Sequence, residues 1–248
     1  MRLDGKNIIV TGAGSGIGKA TAIMCASYGA NISAVDLNAE ALKETSAEIE
    51  KHGVKCIAVT TDVTDFEAVT AMVKQTREAL GDIDVLVNVV GWDKIQPFWD
   101  NTIDYYDKII NINLKSVMYC CRAVLDNMME RKAGKIINIS SDAGRGGSSG
   151  ETVYSGAKGG VIAFTKSLAR EVARYGILCN TICPGPTNTP LLQVQPEKIL
   201  QALAKAIPLR RIPEPEEVAG PVVFFASDLA NFITGQTISV SGGLTMFG

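Results

Sequence analysis

Short runs of β-branched residues alternate with longer amphipathic stretches along the chain, and this alternation limits the possible folds more than any other feature. The runs are NIIVT, NISAVD, KCIAVT, DVLVNVV, KIINIS, LCNTIC and TISVSGG. Apolar strands that are separated by helices form parallel sheets covered on both faces. The sequence therefore predicts an α/β fold: a single doubly wound Rossmann domain over residues 1–248, with a parallel seven-stranded sheet and helices on both faces.

The same periodicity predicts helices over about residues 15–28, 39–51, 65–80, 102–131 and 152–175. Residues 184–216 interrupt this rhythm, because they hold seven of the nine prolines around one short amphipathic helix. A long insertion after the carboxyl end of a strand is typically a binding loop. We therefore expect a substrate lid at about residues 186–213. A structural excursion that packs on a neighbouring subunit is the alternative.

Composition and charge exclude several classes of function. The 24 basic and 26 acidic residues nearly balance, so the sequence carries no electrostatic footprint for nucleic acid or for an anionic membrane. No apolar run is long enough to span a bilayer, and the first one is too short for a secretion signal. The expected partners are small molecules or other protein chains.

The cysteines and the single histidine exclude further chemistry. The six cysteines form no Cys-x-x-Cys pair and lie among apolar neighbours, which predicts reduced core thiols, a cytoplasmic protein and no metal site. The only histidine, His52, lies at a polar helix end before a glycine. A Ser-His-Asp hydrolase would have to use it, so that class is nearly excluded.

A glycine-rich turn, TGAGSGIG, follows the first predicted strand and opens the first helix. Its glycines fall at Gly12, Gly16 and Gly18, which is G-x-x-x-G-x-G rather than G-x-G-x-x-G. Such glycines let the backbone turn sharply and approach a pyrophosphate, while the helix N-terminus offers free N–H groups. The position favours nucleotide binding over an ordinary turn.

Asp36 ends the second predicted strand, about twenty residues beyond the glycines. A carboxylate there accepts hydrogen bonds from the adenosine ribose hydroxyls and repels a 2′-phosphate, which predicts NAD rather than NADP. The alternative is an acidic helix cap. Asp62 and Val63, after the third strand, could border the adenine, and for Asp62 a cap is again the alternative.

Tyr154 and Lys158 lie four residues apart near the start of a predicted helix, so they share one face. A tyrosine with a pKa of about 10 becomes a base near neutrality only after roughly 4 kcal/mol of preferential stabilisation of its phenolate. An ammonium and an oxidised nicotinamide could supply it. Ser141, after the fifth strand, could hold the substrate oxygen. Asn113 could anchor a water that links Lys158 to solvent, or could be a buried residue that kinks a helix.

These residues resemble those of the short-chain dehydrogenase/reductase family, from Asn7 to Gly243. The resemblance implies NAD-dependent hydride transfer by a tetrad of Asn113, Ser141, Tyr154 and Lys158. It also implies a homotetramer, although a hetero-oligomer and a non-catalytic subunit remain alternatives. One departure occurs at residues 88–91, where the family's Asn-Asn-Ala-Gly reads Asn-Val-Val-Gly.

Turn chemistry and the resemblance together give a set of expected cofactor contacts. They are Gly12, Ser15, Gly16, Ile17, Gly18, Asp36, Leu37, Asp62, Val63, Asn88, Tyr154, Lys158, Pro184, Gly185, Thr187 and Thr189.

Several loops further resemble those of the 2-hydroxycyclohexanecarboxyl-CoA dehydrogenases, including GWDKIQPF and CPGPTNTPLL. This implies a cyclic or aryl β-hydroxyacyl-CoA that is oxidised to the β-ketoacyl-CoA; a 3-oxoacyl reductase or another small-alcohol dehydrogenase is the alternative. The expected substrate contacts are Trp92, Asp142, Arg145, Leu191 and Leu192. Cations of the lid could meet CoA phosphates or form a solvated helix face, namely Lys198, Lys205, Arg210 and Arg211.

Overall fold

The structure of the protein is a computed structural model that describes residues 1–246. The final two residues of the predicted domain, Phe247 and Gly248, lie outside the described residues.

A single parallel sheet runs through the described part of the chain. Its strands are β1 (Asn7–Thr11), β2 (Asn31–Asp36), β3 (Cys56–Thr60), β4 (Val85–Asn88), β5 (Gly134–Ile139), β6 (Ile177–Pro184) and β7 (Thr237–Val240). Their order is β3-β2-β1-β4-β5-β6-β7, and every neighbouring pair is parallel. The predicted doubly wound fold is confirmed. The strand order reverses between β1 and β4, which is where such sheets bind ligands.

Helices connect successive strands. They are α1 (Gly16–Ser27), α2 (Ala39–Glu50), α3 (Phe66–Leu80), α4 (Ile103–Ile110), α5 (Ser116–Arg131), α6 (Ala143–Gly146), α7 (Thr152–Val172), α8 (Pro190–Gln193), α9 (Glu197–Ala206) and α10 (Pro215–Ala226). The helix predicted over residues 102–131 is divided into α4 and α5 by a π-turn at Asn111–Lys115.

The core consists of two layers, one on each face of the sheet. Ile8 and Val10 are fully buried in a cluster with Val222 of α10, whereas Ile9 is fully buried in a second cluster with Val124 of α5. Successive side chains of a strand point to opposite faces, so a continuous apolar strand supplies both layers.

The proline-rich segment holds two helices, α8 and α9, where the sequence predicted one. Proline lacks an N–H group and fits the first turn of a helix better than its interior. Pro190 begins α8 and Pro196 precedes α9, so the second proline separates the two helices.

All six cysteines are free thiols, and five of them are buried. Burial raises the pKa of Cys25 and of Cys120 to about 12, so these thiols stay protonated. His52 is exposed just beyond α2. Among the described helices, none combines the length and the apolar character that crossing a membrane requires.

Candidate active site

The carboxyl ends of β1, β4, β5 and β6 meet at one edge of the sheet, and most of the predicted site residues follow these ends. The glycine turn follows β1, Gly91 follows β4, Ser141 follows β5, and Gly185 follows β6. Residues far apart in the sequence thus come to one crevice because the strands are parallel and adjacent.

The turn after β1 depends on glycine at three positions. Gly12 and Gly16 have φ angles of +70° and +50°, which disfavour residues with a side chain. A Cβ atom on Gly18 would overlap the carbonyl oxygen of Gly12. Ser15 precedes α1 but makes no capping hydrogen bond with its side chain. The first N–H groups of α1 therefore lack that partner, and the turn fits a pyrophosphate.

Asp36 closes the second strand beside this turn. Its Oδ2 accepts a hydrogen bond from the Gly14 amide at 2.9 Å, and its Oδ1 accepts one from the Asn38 amide at 3.0 Å. The cap of α2 is Asn38, whose side chain accepts from the amides of Glu40 and Ala41. The helix-cap alternative for Asp36 is therefore wrong. Each carboxylate oxygen keeps accepting capacity for a ribose hydroxyl, and Leu37 beside it is exposed.

Asp62 is exposed and closes a turn of its own. Its Oδ1 accepts hydrogen bonds from the amide of Thr64 at 2.9 Å and from the hydroxyl of Thr64 at 2.7 Å. The cap of α3 is Asp65, so Asp62 does not cap that helix. Val63 is buried in the core cluster of the α3 layer.

The side chain of Asn88 is directed into the core. Its amide nitrogen donates to Asn138 Oδ1 at 2.8 Å, and Asn138 donates to the Thr165 hydroxyl at 2.9 Å. This chain of buried amides ties β4 to β5 and α7. The Nδ2 atom of Asn88 is committed to this chain of amides, and the predicted contact of Asn88 with a cofactor stays a prediction.

The valines that depart from the family pattern are accommodated by packing. The hydroxyl of Thr11 accepts hydrogen bonds from the amides of Val89 at 3.0 Å and Val90 at 3.5 Å. Val89 packs against the α1 layer of the core and Val90 against the α3 layer. A Cβ on Gly12 would lie 3.5 Å from Val90 Cγ2, so Val90 borders the glycine turn.

Lys158 is the buried cation of the crevice, with 2% of its surface exposed. Its Nζ donates to the carbonyl oxygen of Ile139 at 3.0 Å and lies 5.8 Å from the centroid of the Tyr154 ring. The hydroxyl of Ser140 donates to the carbonyl oxygen of Lys158 at 2.7 Å. Burial lowers the pKa of Lys158 to about 8. The two side chains that share a helix face thus lie close together.

The surroundings of Tyr154 raise its pKa above the ordinary value of about 10. Burial is the main cause; a hydrogen bond with Ser141 opposes it, and the negative charges of Glu151 and Asp93 add to it. The protein by itself therefore keeps Tyr154 as a phenol. A further positive charge nearby would be needed to make it a base near neutral pH.

Asn113 lies in the π-turn and is fully buried. Its Nδ2 donates to the carbonyl oxygens of Trp92 at 2.8 Å and Ile109 at 3.0 Å, and its Oδ1 accepts from the Trp92 amide at 3.1 Å. A Cβ on Gly91 would lie 3.1 Å from Asn113 Oδ1 and 3.2 Å from Lys158 Nζ. The buried asparagine therefore lies where the helix is interrupted. Its side chain and the ammonium of Lys158 both border Gly91.

Two predicted substrate residues contact the C-terminal segment. Asp142 is 6% exposed, and its carboxylate accepts hydrogen bonds from the hydroxyls of Ser239 and Thr245. Arg145 donates to Ser239 at 2.7 Å. The predicted substrate contact of Asp142 is corrected, because this residue is buried and holds β7 and the residues after it against the loop of Ser141. Arg145 is partly exposed, and its predicted contact with a substrate stays a prediction.

The other predicted substrate residues surround the crevice from β4 and from segment 186–213. Trp92 is partly exposed, with the Lys108 ammonium 3.9 Å from its ring centroid. Leu191 is 49% exposed and Leu192 is partly buried. The first residues of the segment contact the glycine turn, because a Cβ on Gly16 would lie 3.1 Å from Thr189 Cγ2.

The backbone between β6 and this segment is held by local hydrogen bonds. The Gly185 amide donates to the carbonyl oxygen of Val240 at 3.0 Å, and the Thr187 hydroxyl donates to the carbonyl oxygen of Gly185 at 3.0 Å. Pro184 is the final residue of β6 and is buried. These bonds place the start of the segment beside the C-terminal strand.

The four cations of the segment differ in their contacts. Arg211 forms a two-point ion pair with Glu217 at 2.5 and 2.6 Å, and Arg210 donates to the carbonyl oxygen of Lys205. Lys198 and Lys205 are exposed. Arg211 is therefore already committed, whereas the ammonium groups of both lysines face solvent.

The sequence interpretation did not include Asp93 and Glu151, whose negative charges add to the effect of burial on the pKa of Tyr154. A glutamate three residues before the tyrosine is a visible signal, because that spacing places both on one helix face. Nothing in the sequence marks Asp93; its loop is joined to the loop before α7 by a hydrogen bond from the Gln96 amide to the carbonyl oxygen of Gly150, at 2.9 Å.

The sequence model of the family described as enoyl-(acyl carrier protein) reductase matches residues 12–245. The chain is 38% identical over 247 residues to (2S)-[(R)-hydroxy(phenyl)methyl]succinyl-CoA dehydrogenase subunit BbsD of Thauera aromatica, with 100% of this chain and 99% of BbsD covered. It is also 38% identical over 247 residues to the 2-dehydro-3-deoxy-L-rhamnonate dehydrogenase (NAD(+)) of a Sphingomonas species, covering 99% of this chain and 98% of that protein.

The fold of the chain also matches that of a solved structure. The crystal structure of a Sinorhizobium meliloti protein described as a short-chain alcohol dehydrogenase superimposes with a TM-score of 0.94 at 33% sequence identity. The match covers 98% of this chain and 97% of that one.

Proposed function

Because the chain belongs to the short-chain dehydrogenase/reductase family of oxidoreductases, we propose that it oxidises a secondary alcohol reversibly to a ketone with NAD. The observation that carries the proposal is the buried Lys158 ammonium, 5.8 Å from the centroid of the Tyr154 ring. Asn113 Oδ1 and Lys158 Nζ both border Gly91, at 3.1 and 3.2 Å from a Cβ built on it, and Ser141 interacts with Tyr154.

In the proposed reaction Tyr154 removes the proton of the substrate hydroxyl, and Ser141 holds the substrate oxygen. The nucleotide, when bound, supplies the hydride acceptor and a positive charge. Lys158 contributes a second positive charge beside the phenol and binds the nicotinamide ribose. Asn113 fixes the backbone at Trp92 and maintains the path by which Lys158 exchanges protons with solvent. The reverse reduction uses the same groups.

The choice of NAD is supported by Asp36, whose carboxylate lies beside the glycine turn that fits the pyrophosphate. A 2′-phosphate placed there would meet a negative charge. The name of the Sphingomonas relative includes NAD(+), which agrees with this choice.

We propose a cyclic or aryl β-hydroxyacyl-CoA as the substrate. The name of the Thauera relative describes an aryl-substituted hydroxyacyl-CoA of this kind. In the proposed complex, residues 186–213 act as a lid, Trp92, Leu191 and Leu192 contact the acyl part, and Lys198 and Lys205 contact the phosphates of CoA. Exposed apolar side chains next to exposed cations suit a ligand with an apolar end and an anionic end.

We also propose that the enzyme works in the cytoplasm, where its free thiols stay reduced, and as a homotetramer. Exposed apolar residues such as Trp99, Leu229 and Phe232 support an oligomeric state. A mixed assembly is the second candidate, because the Thauera relative is named as a subunit. Light scattering of the purified chain measures its mass in solution and so distinguishes a tetramer from a monomer.

The central experiment is Tyr154→Phe. Loss of the phenolic hydroxyl removes the proton acceptor, so turnover should fall about 10²- to 10⁴-fold, the usual contribution of general acid–base catalysis. NADH binding, measured by nicotinamide fluorescence, should persist because the ring remains. Tyr28→Phe, at a partly exposed tyrosine after α1, is the matched control. Near-normal turnover of Tyr154→Phe would contradict the mechanism.

A substrate panel tests the acyl-CoA part separately. Hydroxyacyl-CoA thioesters, the corresponding free acids and simple secondary alcohols are compared by NADH production. The thioesters should have the highest kcat/KM, because only they reach the lysines of the lid. Equal efficiency for free acids and thioesters would remove CoA from the proposal and leave the alcohol dehydrogenase in place.

A further inference from the structure

The loop that follows β5 is held from two sides, and Ser141 lies between the two anchors. On the first side the loop packs on α7, where the hydroxyl of Ser140 donates to the carbonyl oxygen of Lys158 at 2.7 Å. A Cβ on Gly144 would lie 2.6 Å from the carbonyl carbon of Lys158 and 2.7 Å from the amide nitrogen of Gly159, so a larger residue would overlap the helix. The loop therefore contacts the turn of α7 that carries the buried ammonium.

The second anchor is Asp142, which comes directly after Ser141 and is buried. Its Oδ1 accepts a hydrogen bond from the hydroxyl of Ser239 in β7 at 2.5 Å, and its Oδ2 accepts one from the hydroxyl of Thr245. These partners lie 97 and 103 positions further along the chain. The proposed reaction uses none of these three side chains.

The direction of the hydrogen bonds in this network is set by the chemistry of the groups. Arg145 Nη1 donates to Ser239 Oγ at 2.7 Å, because a guanidinium has only donors. The hydroxyl of Ser239 donates in turn to Asp142, because an ionised carboxylate only accepts. Hydrogen bonds to ionised groups are stronger than those between neutral groups, so the carboxylate holds the loop firmly.

An anchor can position a loop only if it is fixed itself, and residues 239–245 are held at further points. Strand β7 pairs with β6 in the sheet. The Gly185 amide donates to the carbonyl oxygen of Val240 at 3.0 Å, and the Leu209 amide donates to that of Gly242 at 3.2 Å. The C-terminal segment 239–245 is thus a fixed surface for the loop of Ser141.

We propose that Asp142, Ser239 and Thr245 position Ser141 for the reaction. The C-terminal segment then determines where the serine hydroxyl meets the substrate oxygen, although the segment itself makes and breaks no bond of the substrate. The inference rests on the proposed function, because the place of Ser141 affects the rate only if its hydroxyl holds the substrate oxygen. Placement matters, since a displacement of about 1 Å at a reacting centre can lower a rate about 10²-fold.

The test compares the same substitutions with and without the Ser141 hydroxyl. Ser239→Ala combined with Thr245→Val removes both hydroxyls that bind Asp142. In the full chain, kcat for the most efficient alcohol of the substrate panel should fall about 10- to 100-fold. In the Ser141→Ala background the same pair should lower kcat by less than about 2-fold, because residues that act as a unit are not additive. The Kd of NADH, measured by nicotinamide fluorescence, should not change in either background.

Single and conservative variants keep the test decisive if the pair of substitutions weakens folding. Ser239→Thr and Thr245→Ser keep a hydroxyl at each position and should restore kcat to nearly the wild-type value. Thr245→Val alone keeps the shape of the side chain and should show a smaller loss with the same dependence on Ser141. The matched control is Ser27→Ala, which removes an exposed hydroxyl that donates to the carbonyl oxygen of Met24 at 2.8 Å and should leave kcat unchanged.

An equal loss of kcat with and without the Ser141 hydroxyl would overturn the inference, because these residues would then support the crevice as a whole. An unchanged kcat in the variants that lack the hydroxyls would overturn it as well. If Ser141→Ala alone keeps the wild-type kcat, the inference fails together with the proposed role of Ser141. The proposed oxidation of an alcohol fails only if Tyr154→Phe keeps its turnover, so the two failures are distinguishable.

Discussion

The two sides of the crevice, which we propose to be a nucleotide side and a substrate side, differ in how much of their structure is buried. On the nucleotide side, Lys158 is 2% exposed and Asn113 is fully buried, and each makes hydrogen bonds to carbonyl oxygens. On the substrate side, Leu191, Val194 and Leu209 are 49%, 77% and 65% exposed. The nucleotide side therefore depends on many neighbours, whereas the substrate side depends on few.

This difference has a physical cause and a functional consequence. A buried polar group must keep its partners, because leaving one unsatisfied costs about 1–3 kcal/mol. An exposed side chain can be replaced with little loss of stability. Substitutions on the nucleotide side should therefore lower kcat/KM for every substrate. Substitutions on the substrate side should lower it for some substrates and not for others.

The largest effect is expected for Lys158→Met. The methionine fills a similar volume, but the ammonium that favours the phenolate and binds the ribose is lost, so kcat/KM should fall about 10³-fold for every substrate. Steady-state kinetics on a thioester and on a simple alcohol measure it, with Lys166→Met, at an exposed position of α7, as control. A loss of kcat/KM that is confined to thioesters would contradict the expected difference between the two sides.

An intermediate effect is expected for Asp36→Asn. Without the carboxylate charge, a 2′-phosphate is no longer repelled, so the preference for NAD over NADP should weaken about 10-fold, or about 1.4 kcal/mol. The ratio of kcat/KM for the two nucleotides measures it. Asp65→Asn keeps the cap of α3 and should leave the ratio unchanged. An unaltered ratio in Asp36→Asn would show that another group selects the nucleotide.

The smallest effect is expected for Lys198→Gln combined with Lys205→Gln. Each exposed ammonium contributes about 0.2–1 kcal/mol to an ion pair. The KM for a CoA thioester should therefore rise about 3- to 10-fold, and kcat for a simple alcohol should stay the same. High salt should reduce the difference.

Arg211→Gln is the matched control for the two lysines of the proposed lid, because the Arg211 guanidinium is already paired with Glu217. If that variant raises the KM as much as the double lysine variant does, the lid acts through its structure rather than through its free charges.

The fold could be predicted closely because its signals are local. Strands β1 and β2 have the bounds of the runs NIIVT and NISAVD, and α1 and α2 end within one residue of their predicted ends. Periodicity, glycine position and strand chemistry act over a few residues, so the sequence displays them directly. One departure is the π-turn at Asn111–Lys115, which has the same apolar period as the helices around it. Another is the division of the proline-rich segment into α8 and α9.

The direction of the polar side chains at the site could be predicted only in part. Asn88 and Asp142 follow strands at the right edge of the sheet, but Asn88 turns toward Asn138 and Asp142 toward Ser239. Asp36 differs from these two residues, because its hydrogen-bond partners are the backbone amides of neighbouring turns, which leave its oxygens accessible. The position of a residue along a strand does not predict the direction in which its polar side chain finds a hydrogen-bond partner.

The amino-acid sequence alone determined the alternation of strands and helices, the glycine turn, and the one-turn spacing of Tyr154 and Lys158, since each of these is set by backbone preferences over a few neighbours. Only the tertiary structure decided that Lys158 is buried beside Gly91 and that Asp142 holds the C-terminal segment. Such contacts join residues far apart along the chain, and their energies depend on burial and on nearby charge, which exist only once the layers have packed.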